Sequence, residues 1–480
     1  MSRLRRVGAG VVALALLGLV TNYYLVSQHL ALPDGRHASA QSIAFDALFD
    51  LSTPYAPAFP AARRGIALCL HTEIAAMGVS LIRELRSLGN TDPIQVYYCL
   101  PAELAPPVWT LLAEDPLVEI IDLCSLLVDA GHFQNVEAAR AFQSFWLKPL
   151  ALLFSSFDQV MLLDADDIFF ENPSTLWASP SYTETGTLFF YDRVINTAAF
   201  SNSVVNATLE NGTVIQSRYI TEFIKTFPLS RFGRPPVHTP SAHFLASMLW
   251  RGHSAHEQDS SVVLVDKVRA GPTVLKVLHH LISDSRFLDP PFSWGDKESF
   301  WLAFELGGKD YRFSPWACSV VSRPFDRLVD PNSLCGSLAQ YAPLETSNAT
   351  LLYINGQEII QPFDSRGYGR PSWPDRLTTL LTAMPRHVTP RHRRGPVVVD
   401  RGSLDESCLV AKGAEQLHHD AQLRQRIVWT IEAAQALDIA FRSGPALQKG
   451  FKLQSSVVAG AFVGVLLGLL CVFHVMSSDR

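Results

Sequence analysis

Neither sign of charge dominates this chain. Charged residues make up 18% of its 480 positions and the net charge is −5, so it offers no strong field for a polyanion and no nucleic-acid partner is implied. Basic runs are few and short; the clearest, Arg391-His392-Arg393-Arg394, reads as exposed loop. No internal repeat is present, which excludes a solenoid or an array. Cysteine is sparse, at seven residues, and their pairing cannot be read. Cys69 and Cys99 sit in apolar, strand-like runs and read as plain core thiols. The length allows one large domain or two ordinary ones with ample core.

Long uncharged runs stand at both ends. Val7 to Val26 is long enough to cross a bilayer core as a helix. Arg3, Arg5 and Arg6 precede it, which keeps residues 1–6 cytoplasmic and sends the rest to the lumen. A cleaved signal peptide is the alternative, but the run is long for one and lacks a clear small-x-small exit site. A second span is expected over 457–476, with Gly460, Gly464 and Gly468 on one face where another helix could approach closely. A removed glycolipid-anchor signal fits less well, because the tail ends in polar residues. Cys471 lies in that span, which leaves six cysteines on the lumenal side, where disulfides form. Acceptor sequons at Asn206, Asn211 and Asn348 agree with a lumenal, glycosylated face.

Residues 27–60, rich in Ala, Ser and Pro, read as a stem; 61–370 as the lumenal domain; 371–454 as a C-terminal extension. Gly65–Leu70, Met77–Leu88 and Ile94–Tyr98 alternate as strand, helix and strand, the mark of a βαβ unit in an α/β fold. Further strands are expected at 118–123, 187–191, 262–265 and 351–354, and helices at 142–154, 299–306 and 409–441.

The run Val160-Met161-Leu162-Leu163 is apolar without a polar break, as in a strand buried on both faces of a parallel sheet. It runs into Asp164-Ala165-Asp166-Asp167, at the carboxyl end where open α/β sheets bind ligands. On a continuing strand Asp164 and Asp166 would share a face. Paired carboxylates repel unless a cation lies between them, and hard oxygen donors suit Mg²⁺ or Mn²⁺. The plainer alternative is that the acids open a turn and cap the next element, since Asn172-Pro173-Ser174 is a turn signal.

Several ordered blocks between Gly65 and Gly356 share one resemblance. They include Arg83-Glu84-Leu85-Arg86, Trp146-Leu147-Lys148-Pro149, Leu162-Leu163-Asp164-Ala165-Asp166, Asp192-Arg193, Glu257-Gln258-Asp259-Ser260, Gly295-Asp296-Lys297 and Tyr353-Ile354-Asn355-Gly356. Together they resemble the fungal-type α-mannosyltransferases of glycosyltransferase family 71, the Mnn1 group. The resemblance implies a GT-A fold, with a mostly parallel central sheet, and transfer of mannose from GDP-mannose to a glycan acceptor on protein or lipid. It further implies an α linkage made with retention, and a Golgi membrane location. Asp164 and Asp166 match the metal and donor-diphosphate motif, taking Mn²⁺ or Mg²⁺. Lys148 matches a donor-contacting lysine of glycogenin-like enzymes, and Asp296 and Lys297 match residues near the acceptor and anomeric centre. The plain alternatives are an exposed lysine at a helix start and a solvated turn before the helix 299–306.

The second span and the extension depart from the family's usual layout. So does the lack of a clear late histidine as third metal ligand. Gln340, Tyr353 and Asn355 stand in that region, and His279 and His280 fall in an apparent helix. Two other readings stay open: a GT-A transferase using a UDP-sugar, since the metal touches the diphosphate and not the sugar, and an inactive membrane-tethered scaffold or lectin.

Overall fold

The computed structural model describes residues 53–323, 332–346, 350–363, 372–395 and 408–443. Among them no helix is long and apolar enough to cross a membrane. The segments 7–26 and 457–476, with Gly460, Gly464 and Gly468, lie outside the described residues, as does Asn348.

The short apolar runs resolve into β1 (Arg64–Cys69), β2 (Ile94–Tyr98), β3 (Val118–Asp122), β4 (Gln159–Leu163), β5 (Asp167–Phe169) and β6 (Thr187–Tyr191). A hairpin of β7 (Val204–Thr208) and β8 (Val214–Arg218) comes next, then β9 (Gln258–Asp266). The central sheet has the order β3-β2-β1-β4-β9-β6. Pairing is parallel from β3 to β4 and antiparallel from β4 through β9 to β6. Helix α1 (Ala75–Ser87) links β1 to β2, the expected βαβ unit.

The unbroken hydrophobicity of residues 66–68, 160–163 and 262–265 has a direct cause, because both faces of the sheet are covered there. Ile66, Leu68, Met161, Leu163, Val262 and Leu264 point into one apolar cluster. Ala67, Val160, Leu162, Val263 and Val265 point into the other. The second cluster is closed by α2 (Leu147–Phe154), α3 (Lys267–Ser283) and α4 (Ser299–Gly307). His279 and His280 lie on α3, where His280 contacts Asp284 at 3.1 Å and His279 the Ser283 hydroxyl at 3.1 Å.

A second, smaller sheet is built from β10 (Ser319–Val320), β12 (Leu338–Tyr341), β13 (Leu351–Asn355) and the edge strand β5. Between them β11 (Leu334–Cys335) pairs with a late strand, Cys408–Leu409. The last described element is α5 (Asp420–Ser443), which lays Leu423, Ile427, Ile431 and Leu437 into the first cluster.

Five expectations need correction. The acidic run is not one strand: the chain leaves the central sheet at Leu163, turns, and enters the second sheet at Asp167. Cys99 is not a free thiol but is bonded to Cys124, and Cys335 is bonded to Cys408. Residues 409–419 are not helical, since Cys408–Leu409 and Glu415–Gln416 pair as strands and helix begins only at Asp420. The helix expected from Phe142 is interrupted by Ser144, whose φ is +65°, and becomes regular at Leu147. Finally, Arg394 is not exposed loop: it reaches Glu257 at 3.2 Å, while Arg391 and Arg393 stack over Trp316 at 4.0 and 4.3 Å.

Candidate active site

Where β1 and β4 end, their carboxyl termini open into a cleft of about 380 Å³. All five residues singled out for chemistry, Lys148, Asp164, Asp166, Asp296 and Lys297, line it. They come from three separate segments. Lys148 comes from the first turn of α2, the two aspartates from the β4–β5 turn, and Asp296 and Lys297 from the loop before α4.

Lys148 is the hub. Its ammonium contacts Asp164 Oδ1 at 2.7 Å and Asp296 Oδ2 at 3.2 Å. It also donates to the Ser260 carbonyl at 2.7 Å. A lysine can be buried in the apolar helix α2 because its three donors are all engaged. Burial would lower its pKa, but Asp164 and Asp296 outweigh that and raise it, so the ammonium stays charged.

The turn brings Asp164 and Asp166 to the cleft by a mechanism other than strand alternation. The Asp167 N–H closes on the Asp164 carbonyl at 3.2 Å, and the Asp164 N–H is shared between the Ser261 carbonyl at 2.9 Å and Asp167 Oδ2 at 3.1 Å. Asn355, paired with Asp167 across β13 and β5, donates to Asp166 Oδ1 at 3.2 Å and Asp167 Oδ1 at 3.1 Å. Burial pushes the pKa of Asp164, Asp166 and Asp167 upward, and neighbouring carboxylates add to the rise at Asp164 and Asp167. A cation in front of the turn would relieve this crowding.

Carboxylate oxygens are hard donors of the kind a divalent ion would take. Among the described residues no group of three or more His, Cys, Asp or Glu is placed to hold a metal; Asp164 and Asp166 are the carboxylates that would face such an ion in the cleft. Mg²⁺ is commonly bound by one or two carboxylates plus substrate phosphates and water. Asn355 stands where a late ligand was sought, and here its amide orients Asp166.

Lys297 is held differently from Lys148. It is ion-paired with Asp192, which is fully buried. Burial opposes the charge on Asp192, but Lys297, Arg193 and His256 outweigh it and hold the carboxyl down at about 2. Beside this pair, Asp259 lines the cleft and accepts from Gln340 Nε2 at 3.0 Å. Asp192 and Asp259 are not among the residues that sequence reading singles out for the site, although each falls within a block of the resemblance; that placement is the available signal.

Gly295 has a structural reason. Its φ is +62°, and a Cβ there would lie 3.0 Å from the Phe145 ring, so only glycine delivers Asp296 past that ring without strain. Phe145 and Trp294, 52% and 57% exposed, flank the mouth of the cleft. Asn206 and Asn211 are exposed, on β7 and at the hairpin turn.

An α/β sheet that presents carboxylates and a buried lysine beyond its strand ends has the layout of a phosphate- or cation-handling ligand site. Residues 63–335, more than half of the chain, match the family model described as "Mannosyltransferase putative", and the chain belongs to that family. It is 30% identical to alpha-1,3-mannosyltransferase MNT3 of Saccharomyces cerevisiae, over 54% of this chain and 40% of the relative. It is 24% identical to alpha-1,3-mannosyltransferase MNN1 of the same yeast, over 62% of this chain and 41% of the relative. The chain thus spans about two-fifths of the length of these relatives. The solved mannosyltransferase Ktr4p of S. cerevisiae, in complex with GDP, aligns with a TM-score of 0.30 at 14% identity, over 53% of this chain and 69% of its own. That score is too low to carry the identification, which rests on the family model.

Proposed function

We propose that this chain transfers mannose from GDP-mannose to a glycan acceptor on a protein or lipid, keeping the anomeric configuration, on the lumenal side of the Golgi membrane. The observation that carries this reading is the convergence of Lys148, Asp164, Asp166, Asp296 and Lys297 in one cleft of a mannosyltransferase-family chain. Donor identity, retention and location come from the family resemblance. The disulfides Cys99–Cys124 and Cys335–Cys408 support an oxidising compartment.

Asp164 and Asp166 would hold Mn²⁺ or Mg²⁺, which when bound neutralises a departing diphosphate. The chain's own residues supply the rest. Lys148 ties the Asp164 side of the cleft to the Asp296 side, so the cation-binding edge and the edge facing the sugar are held in one geometry before substrate arrives. Asp192 fixes the Lys297 ammonium beside Asp296. Phe145 and Trp294 offer apolar ring faces to a sugar entering between them.

The test is turnover of a panel of sugar nucleotides by the purified chain, with Mn²⁺, with Mg²⁺ and with chelator. Transfer from GDP-mannose, lost in chelator and in Asp164→Asn and Asp166→Asn variants that remain folded, is the expected outcome. Transfer only from a UDP-sugar would overturn the donor, and full activity in chelator would overturn the metal role. Donor binding without transfer to any acceptor would point to a tethered, non-catalytic relative.

A further inference from the structure

We propose that α5 is part of the catalytic apparatus: through Arg426 it positions the Asp164–Asp166 turn and thereby sets the cation affinity of the cleft. The functional half of this proposal rests on the mannosyl-transfer reading; the positioning half does not. Helix α5 lies beyond residues 63–335, the part that matches the family model.

Arg426 is fully buried. Its Nη2 donates to the Ala165 carbonyl at 2.9 Å and the Asp167 carbonyl at 3.2 Å, the two that flank Asp166. Its Nη1 donates to the Met77 carbonyl at 3.1 Å and to Ser80 Oγ, both on α1. Glu84, also on α1, lies 3.8 Å from Arg426 Nε and accepts the Phe169 N–H at 2.9 Å. The Asp-Ala-Asp turn and β5 are therefore gripped from behind at Ala165, Asp167 and Phe169. From the front, the Gly356 N–H holds the Asp166 carbonyl at 2.9 Å.

The need for such a grip arises from the topology. Strand β5 has three residues and lies at the edge of its sheet, paired with β13 alone. Its outer backbone groups have no strand partner, and a strand this short does not fix its own geometry. A guanidinium can span several carbonyls with a rigid fork, which an ammonium cannot. Helix docking by itself does not explain the residue. Leu423, Ile427, Ile431 and Leu437 already seat α5, and a buried arginine carries a desolvation cost that an apolar side chain would avoid. What Arg426 adds is contact with the turn.

The experiment compares the full chain with Arg426→Met, Arg426→Lys and a packing control, Leu437→Ala, about three turns along α5. Two readouts are taken on protein shown to be folded: amide hydrogen exchange across 164–169, and Mn²⁺ affinity by electron paramagnetic resonance. Arg426→Met is expected to speed exchange in that segment and weaken Mn²⁺ binding on the order of tenfold. Arg426→Lys should be intermediate, and Leu437→Ala should change neither readout at a similar loss of melting temperature. Equal effects of Leu437→Ala and Arg426→Met would overturn the proposal and make Arg426 a packing residue. Should Arg426→Met not fold, Arg426→Lys against Leu437→Ala decides by the same comparison. If the wild-type chain binds no Mn²⁺, the metal reading fails, and the exchange readout still decides the positioning.

Discussion

At the scale of single residues, the site depends on ion pairs that would be costly to break. Lys148 is ion-paired with both Asp164 and Asp296. Removing one partner of a buried pair costs about 3–5 kcal/mol, and losing one preorganised charge costs on the order of a hundredfold in rate. Lys148→Ala should therefore lower kcat more than it raises KM for the donor, and lower the melting temperature; a normal rate would return the lysine to a purely structural role. Glu84 makes a second prediction. Burial raises its pKa to about 7, although Arg426 and the Phe169 N–H pull it down. A carboxyl whose folded pKa lies above its unfolded value binds more protons when folded, so its contribution to stability falls as pH rises from about 4.5 to 7 and levels above that. Relative to Glu84→Gln, the wild-type chain should lose up to about 3 kcal/mol across that window. The cost of stranding Arg426 in the variant is constant over the same range, so the slope is the readout. Thermal melts of both proteins at several pH values check it, and parallel curves would refute it.

At the scale of elements, β4 shows how far pattern reading goes. Its two buried faces are implied by its unbroken apolar residues, and the acids at its end by position. The jump to a second sheet after Leu163 is not, because Val160 to Phe170 is apolar on both sides of the acids and no local signal separates strand from strand. Residues 409–419 failed for a related reason: their strand pairing is decided by distant partners, Leu334–Cys335 and His387–Val388. The Cys335–Cys408 bond reinforces one of these pairings across a separation of 73 residues. Chain entropy assigns such a loop about 4 kcal/mol. The double variant Cys335→Ser/Cys408→Ser should lose about that much in denaturant unfolding, while the central sheet keeps its circular dichroism; an unchanged midpoint would mean that the reduced chain holds the pairing unaided.

At the scale of the whole molecule, the expected layout places 1–6 and the residues after 476 in the cytoplasm and the rest between two spans in the lumen. The spans lie outside the described residues, so this layout is a proposal. Protease protection in sealed vesicles, with a tag at each end, should find both tags accessible and the body protected. A protected C-terminal tag would eliminate the second span, and a lost tag would indicate processing of the tail.

The α/β class, the βαβ start and the buried strand that ends in acid were determined by the sequence, and its family resemblance pointed to Lys148, Asp164, Asp166, Asp296 and Lys297, which line the cleft. Those features are carried by local periodicity, by composition and by ordered motifs, each legible over a few adjacent positions. Only the tertiary structure decided that Lys148 bridges Asp164 and Asp296, that Asp192 restrains Lys297, that Asn355 orients Asp166, and that Arg426 reaches Ala165 from 261 residues further along the chain. Arg426, one of three arginines on a polar helix, carries no local mark of its partners. Its role arises because burial forces each charge to find a counter-charge or a carbonyl, and which one it finds is set by the packing of helices and sheets that are far apart in the chain.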